Sequence, residues 1–206
     1  MATRILIVDC GTGNLNSVRK KLAQFKCEPL ISASPADLAK ADKIVLPGVG
    51  HFQNAMEGLS RTGLLGALHE AVLVQRKPIL GICLGMQLMA TRSEEGDSEG
   101  LGWIEGEVVR FRTRDQLKYK IPHIGWNQVS LRKESQLMNG IPTNSEFYFV
   151  HSYHFRAADT ADVLGETEYE DAFTASIERE NIYGVQYHPE KSHDVGERLL
   201  SNFVGA

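Results

Sequence analysis

The chain has 206 residues, 42% hydrophobic and 23% charged, with 22 basic against 26 acidic side chains and a net charge of −4. A chain of this length buries about 70% of its unfolded surface without a disulfide or metal staple, and its charge balance favours neither nucleic acid nor an anionic membrane as a partner. Its apolar runs, such as Ile79-Leu80-Gly81-Ile82, are too short to span a bilayer, the opening Met1-Ala2-Thr3-Arg4 carries no signal-peptide pattern, and three widely spaced cysteines (Cys10, Cys27, Cys83) fit a reducing cytoplasm.

Ile5-Leu6-Ile7-Val8 is a short β-branched run that predicts a buried strand. Beyond a Gly-rich turn, Leu15, Val18, Leu22 and Phe25 repeat at helical spacing among Arg19, Lys20 and Lys21. Residues 29–31 suit a second strand. Ser34-Pro35-Ala36-Asp37 suits a helix start, with the hydroxyl as cap and proline at the first helical position. Ile44-Val45-Leu46 predicts a third strand, closed by Pro47-Gly48-Val49-Gly50. Phe52, Ala55, Met56 and Leu59 mark one helix, and Leu64, Leu65, Leu68 and Val72 another. Residues 78–82 predict a fourth strand, followed by a helix over about residues 84–90. Strands alternating with helices imply right-handed crossovers and a parallel sheet covered on both faces.

The second half reads differently. Residues 92–102 are polar and Gly-rich and carry Glu94, Glu95, Asp97 and Glu99, which predicts a mobile loop. Strand-like runs follow at residues 104–111, 147–155, 172–177 and 182–187, and Val195, Leu199, Leu200 and Phe203 predict a closing helix. The expected fold is one α/β domain over residues 1–206: a central, largely parallel sheet with helices on both faces and an antiparallel edge.

Gly81-Ile82-Cys83-Leu84-Gly85 lies between a predicted strand and a predicted helix and has the form Gly-x-nucleophile-x-Gly. Such a turn pushes its central side chain out at the carboxyl end of a sheet. There a helix N-terminus favours the thiolate and offers backbone N–H groups to an oxyanion. A buried structural cysteine would have the same local sequence, so a second motif is needed. Gly184-Val185-Gln186-Tyr187-His188-Pro189-Glu190 supplies it, ending a strand with a histidine and a carboxylate two residues apart. In extended chain both point the same way, so Glu190 can orient His188 as the base that a thiol nucleophile needs. Pro47-Gly48-Val49-Gly50 is a strand-end loop whose peptides flip easily and can turn an N–H toward a substrate.

Together these three segments, the second extended by Met86-Gln87, resemble the signatures of the class I (triad) glutamine amidotransferases. Asp9-Cys10-Gly11-Thr12-Gly13-Asn14-Leu15, Pro122-His123-Ile124-Gly125-Trp126-Asn127, Phe147-Tyr148-Phe149-Val150-His151-Ser152-Tyr153 and Lys191-Ser192 are similar to the glutaminase subunits of imidazole glycerol phosphate synthases. The resemblance implies hydrolysis of glutamine to glutamate and ammonia by Cys83, His188 and Glu190, with Val49, Gly50 and Leu84 forming the oxyanion hole. It further implies that Gly48, Gln87, His151, Ser152 and Tyr153 hold the glutamine, and that Tyr148 and Lys191 couple the site to a partner. That partner would be a (β/α)₈-barrel cyclase, to which ammonia passes for imidazole glycerol phosphate and an aminoimidazole nucleotide in histidine biosynthesis. Three features depart from the pattern: Cys10 stands where tyrosine is usual and Tyr187 where phenylalanine is commoner. The third, Ser192-His193-Asp194-Val195-Gly196, resembles a paralogous branch supplying ammonia for amidino sugars of surface polysaccharides. A stand-alone thiol hydrolase and a silent binding module are the rival readings.

No cofactor or metal is expected. Gly11-Thr12-Gly13-Asn14-Leu15-Asn16 lacks the third glycine of a dinucleotide fingerprint and reads as a turn and helix cap. His151 and His154, three apart on a strand-like run, should face opposite ways as structural histidines. The acidic stretch from Glu94 to Asp97 reads as a solvated loop. Trp103 and Trp126 read as packing or interface residues, and Arg110, Arg112, Arg114, Lys118 and Lys120 as a solvated ribbon face, with docking of a partner's carboxylate cluster as the sharper alternative.

Overall fold

Alternation along the first apolar run sets the architecture. In the computed structural model, which describes residues 2–11 and 13–205, strand β1 (Thr3–Val8) sends Leu6 and Val8 to one face and Ile5 and Ile7 to the other. The first pair packs with Leu46 under residues of α2 (Pro35–Lys40), α3 (Phe52–Arg61) and α4 (Leu64–His69), among them Leu38, Phe52, Leu59, Leu64 and Leu68. The second pair packs with Val45, Leu80 and Ile82 under Val18 and Leu22 of α1 (Leu15–Leu22) and Leu199, Leu200 and Phe203 of α6 (His193–Gly205). Burial on both faces is why these strands read as continuous apolar runs.

Strands β2 (Cys27–Ser32), β1, β3 (Lys43–Gly48), β4 (Ile79–Cys83) and β13 (Ile182–Val185) lie side by side and parallel. Beyond β13 the sheet continues through β12 (Asp171–Arg179), β10 (Tyr153–Ala157) and β7 (Gly106–Arg110), each antiparallel to its neighbour. A short hairpin, β5 (Arg92–Ser93) and β6 (Ser98–Glu99), completes that edge. Branching from β12 are β11 (Val163–Tyr169), β8 (His123–Leu131) and β9 (Ser145–His151).

Several sequence expectations are corrected. Pro47 and Gly48 are the last residues of β3 rather than a closing turn, paired with Ile82 and Cys83. The helix after Cys83, α5 (Leu84–Gln87), is one turn long, because the carbonyls of Leu88, Met89 and Ala90 receive the N–H groups of residues 101–104. Residues 92–102 form the β5–β6 hairpin, pinned where Glu94 accepts from the Arg110 N–H and Glu95 from the Phe52 N–H, both through side-chain oxygens. The run at 147–155 breaks at Ser152 into β9 and β10. Ser34 and Asn14 precede their helices without side-chain capping bonds. The basic cluster keeps its expected solvated character: Arg110, Arg112, Arg114, Lys118 and Lys120 are all exposed, Arg112 and Arg114 pairing at the surface with Glu94, Glu170 and Asp171. Thr12, Met1 and Ala206 lie outside the described residues, so the Gly11-Thr12-Gly13 turn is covered only at its flanks.

Candidate active site

The strand-to-helix elbow concentrates its strain at one residue. Cys83 has φ 53° and ψ −109°, a region that side-chain-bearing residues rarely occupy. The flanking glycines serve close approach instead of supplying the turn. A Cβ on Gly85 would lie 1.6 Å from the Leu46 carbonyl oxygen, and one on Gly81 would lie 2.7 Å from backbone atoms of Gly85 and Met86. The elbow is therefore pressed into β3, and Cys83 stands opposite Gly48 in the parallel ladder.

His188 arrives from the adjacent strand. β13 lies parallel to β4 with Gly184 opposite Gly81 and Val185 opposite Ile82, so the chain leaving β13 emerges beside Cys83. Pro189–Lys191 then form a single 3-10 turn, and this turn, rather than extended chain, brings Glu190 round to the imidazole. His188 Nδ1 donates to Glu190 Oε1 at 2.8 Å, both side chains being almost wholly buried. The turn is clamped by Tyr148 and Ser192. The His188 N–H donates to the Tyr148 carbonyl at 2.9 Å, and the Ser192 hydroxyl donates to the His188 carbonyl at 2.6 Å while accepting from the Tyr148 N–H. His188 Nε2 is buried with no hydrogen-bond partner among the described residues. Burial opposes the imidazolium, but the Cys83 sulfur and the Glu190 carboxylate outweigh it and push His188 up to about 9.

Glu190→Gln removes that carboxylate, so the His188 pKa should fall and the imidazolium should be harder to form. We expect kcat to drop by about 10- to 100-fold with KM nearly unchanged, as for loss of an orienting group. Steady-state kinetics check this, and wild-type kcat would remove Glu190 from the reaction.

Cys83 opens onto a cavity of about 300 Å³ lined by Val49, Gly50, Leu84, Gln87, His151, Ser152 and Tyr153, all predicted site residues. Glu95, Pro122 and Val150 also line it and were not foreseen. The hairpin carries Glu95 there, so the solvated-loop reading is corrected; an acid in a Gly-rich stretch gives no local signal of such a fold-back. Gly48 sits behind Leu84 rather than on the wall, where a Cβ would meet the Leu84 Cβ at 3.0 Å. Tyr148 and Lys191 lie outside, the Lys191 ammonium 5.7 Å from the Tyr148 ring centre. Beside them Trp126, exposed on β8, stacks on His193 with centroids 4.9 Å apart, while Trp103 is buried and donates to His69.

The histidine reading is also corrected. Because the strand breaks at Ser152, His151 and His154 do not face opposite ways: both rings pack on Phe111, at 5.2 and 4.6 Å. A larger cavity of about 1110 Å³, lined by residues of the 131–140 stretch with Glu178 and Tyr183, holds no cysteine or histidine. Among the described residues no cluster of His, Cys, Asp and Glu could hold a metal ion, and no helix is long and apolar enough to cross a membrane.

A family model described as glutamine amidotransferase class-I matches residues 6–206. Among curated proteins, "Imidazole glycerol phosphate synthase subunit HisH 2" of Pseudomonas aeruginosa is 46% identical over 97% of this chain and 98% of its own. "Imidazole glycerol phosphate synthase subunit HisH 1" of Campylobacter jejuni is 48% identical over the same shares. Among solved structures, PurLQS from Thermotoga maritima superposes with a TM-score of 0.77 at 15% identity, covering 100% of this chain and 99% of that one. Another, described as a glutamine amidotransferase, gives 0.75 at 16% identity, covering 98% of this chain and 99% of its own. At such identities these two establish the α/β fold alone.

Proposed function

The chain belongs to the class-I glutamine amidotransferase family, and from that premise we propose that it is the glutaminase subunit of an imidazole glycerol phosphate synthase, one domain over residues 1–206 acting in the cytoplasm. The observation that carries the reading is the elbow cysteine: Cys83, at φ 53°, opens onto a cavity of about 300 Å³ beside a histidine already anchored by Glu190.

In this mechanism the Cys83 thiolate attacks the side-chain amide carbon of glutamine. The Leu84 N–H and an N–H from the Val49–Gly50 region hold the tetrahedral oxyanion, one such donor being worth about 3–4 kcal/mol. As the C–N bond breaks, His188 gives its Nε2 proton to the departing ammonia. The thioester left on Cys83 is then hydrolysed by a water that His188 deprotonates, releasing glutamate. Among the described residues Glu95 is the one carboxylate on the cavity wall, which suits it to the α-ammonium group of glutamine, alongside the backbone of His151, Ser152 and Tyr153.

That the relatives are named as subunits of a synthase supports a partner subunit for this chain. Ammonia would pass to a (β/α)₈-barrel cyclase in a heterodimer, making imidazole glycerol phosphate and aminoimidazole carboxamide ribonucleotide in histidine biosynthesis. Tyr148 and Lys191 suit coupling to that cyclase, since the Tyr148 main chain holds His188 while its ring lies near Lys191 and the exposed Trp126. A second reading, the paralogous glutaminase of amidino-sugar formation, is favoured by the tail Ser192-His193-Asp194-Val195-Gly196, whose His193 stacks on Trp126 at that surface.

Glutamate release by the chain alone, with the cyclase of its own organism, and with cyclase plus its ribonucleotide substrate separates these readings. We expect the chain alone to be nearly idle and the full mixture to be stimulated by at least about 100-fold, the worth of one completed oxyanion donor. A free chain as fast as the complex would indicate a stand-alone hydrolase. Absence of stimulation by that cyclase, with Cys83 still trapped by a glutamine analogue, would indicate the paralogue.

A further inference from the structure

One neighbour of the Cys83 sulfur has no part in the chemistry above. Gln186 is fully buried, and its Nε2 lies 3.7 Å from Cys83 Sγ. An amide can offer either its NH₂ or its oxygen, and which end meets the sulfur is decided by what holds the other end. Here a main-chain carbonyl, which can only accept, decides it. Gln87 Nε2 lies 2.9 Å from the Tyr153 carbonyl oxygen, so Gln87 directs its NH₂ there. The second proton on that nitrogen goes to Gln186 Oε1, also at 2.9 Å. Gln186 thus accepts through its oxygen and turns its own NH₂ toward the sulfur.

The Tyr153 carbonyl is filled from its other side by a chain with the same polarity. Asn127 Nδ2 donates to the Glu168 carbonyl at 2.9 Å, so that nitrogen is an NH₂ and its 3.3 Å contact with His123 Nε2 is a donation. His123 then carries its proton on Nδ1 and donates to His151 Nε2 at 3.0 Å. His151 carries its own on Nδ1 and donates to the Tyr153 carbonyl at 2.8 Å. Burial keeps both rings neutral, His123 falling to about 4 and His151 well below its usual value. Carbonyls at Glu168 and Tyr153 therefore fix every donor in the series.

We propose that Gln186 is a catalytic residue of the glutaminase reaction, donating a hydrogen bond from its amide to the Cys83 sulfur, with Gln87 and the Tyr153 carbonyl as the groups that fix the amide's orientation. The inference rests on the reading of Cys83 as the nucleophile. Relative to the thiol, the bond favours the attacking thiolate and holds it aligned, and part of it persists while the sulfur's electron pair enters the new S–C bond, so the step from thiol to transition state is eased. A corollary concerns Gln87: both its amide protons are engaged inside the protein, which leaves only its oxygen for a substrate and restricts it to contacts with a donor.

The test uses Gln186→Glu, which keeps the shape and the acceptor toward Gln87 but replaces the donor with oxygen, and Gln186→Met, which keeps the volume alone. Iodoacetamide labelling, followed on the Cys83 peptide from about pH 5 to pH 10, and glutaminase kinetics are measured together. We expect the labelling profile to move to higher pH by about one unit and kcat to fall about tenfold with KM little changed, the worth of a hydrogen bond to a charged group. Folded variants with wild-type labelling profile and kcat would overturn the proposal, whatever their melting temperature. If neither variant folds, the Gln186 side-chain amide signals in the wild-type NMR spectrum decide the matter. They should titrate with the Cys83 thiol and lose that titration in Cys83→Ala, and a flat response overturns the proposal. Cys83→Ala that keeps turning over would instead remove the nucleophile reading itself, a separate failure.

Discussion

Replacing Cys83 with alanine should reduce glutamate release by a factor on the order of 10⁴ or more, because the covalent route disappears and nothing else on the cavity wall can take the thiolate's place. Neither Cys10 nor Cys27 lines the cavity, and the one carboxylate on its wall among the described residues, Glu95, is engaged by the Phe52 N–H. Stability should change little. The thiol's polar contacts are long, 3.9 Å to the Val150 carbonyl and 3.7 Å to Gln186, and alanine keeps the strained backbone of the elbow as it is. A glutamate-release assay paired with thermal unfolding checks both halves. Retained hydrolysis would remove Cys83 as nucleophile, whereas a collapsed melting temperature would mean that the side chain is structural.

The second large effect is on the fold. A methyl group on Gly85 would sit 1.6 Å from the Leu46 carbonyl oxygen and 2.7 Å from its carbon, both of them backbone atoms of a central strand. Nothing there can rotate away, so α5 must lift off β3. Gly85→Ala should destabilise the protein by about 3 kcal/mol or more and displace the Leu84 N–H from the cavity. Gly66 is the counterpart: exposed, inside α4, with nothing within 4 Å of an added Cβ. Gly66→Ala should stabilise by up to about 1 kcal/mol through helix propensity. Denaturant midpoints of the two variants should therefore move in opposite directions. Equal shifts would mean that the approach of Gly85 to Leu46 carries no cost.

The parallel half of the sheet was legible because its strands are buried on both faces and so spell apolar runs, as at Ile5-Leu6-Ile7-Val8 and Ile44-Val45-Leu46. β8 was hidden because its solvent-facing side carries Ile124 and Trp126, both exposed, alongside Gln128, so its apolar residues do not mark the buried face. β11 was hidden by register shifts around Gly165 that break its alternation. In the site, Cys83 and His188 could be found from their local motifs. Glu95 and Gln186 could not, since each is placed by long-range pairing: a hairpin folded against α3, and the parallel contact of β13 with β4. The histidines were misjudged for a related reason, a one-residue break at Ser152 that periodicity does not register.

The ladder joining β3, β4 and β13 also determines where this chain is free to change length. Gly48 stands opposite Cys83, Gly184 opposite Gly81 and Val185 opposite Ile82, so Cys83 and His188 are brought together by neighbouring strand ends, while the segments between β4 and β13 supply part of the cavity wall. Removing one residue inside β13 would turn every following side chain, His188 included, to the other face of the sheet. The connection between β7 and β8 ends at the site, where Pro122 lines the cavity, but its tip around Leu117 is exposed, and residues added there are expected to leave the reacting atoms in place. An insertion at that tip should therefore keep activity, whereas one inside β3, β4 or β13 should abolish it.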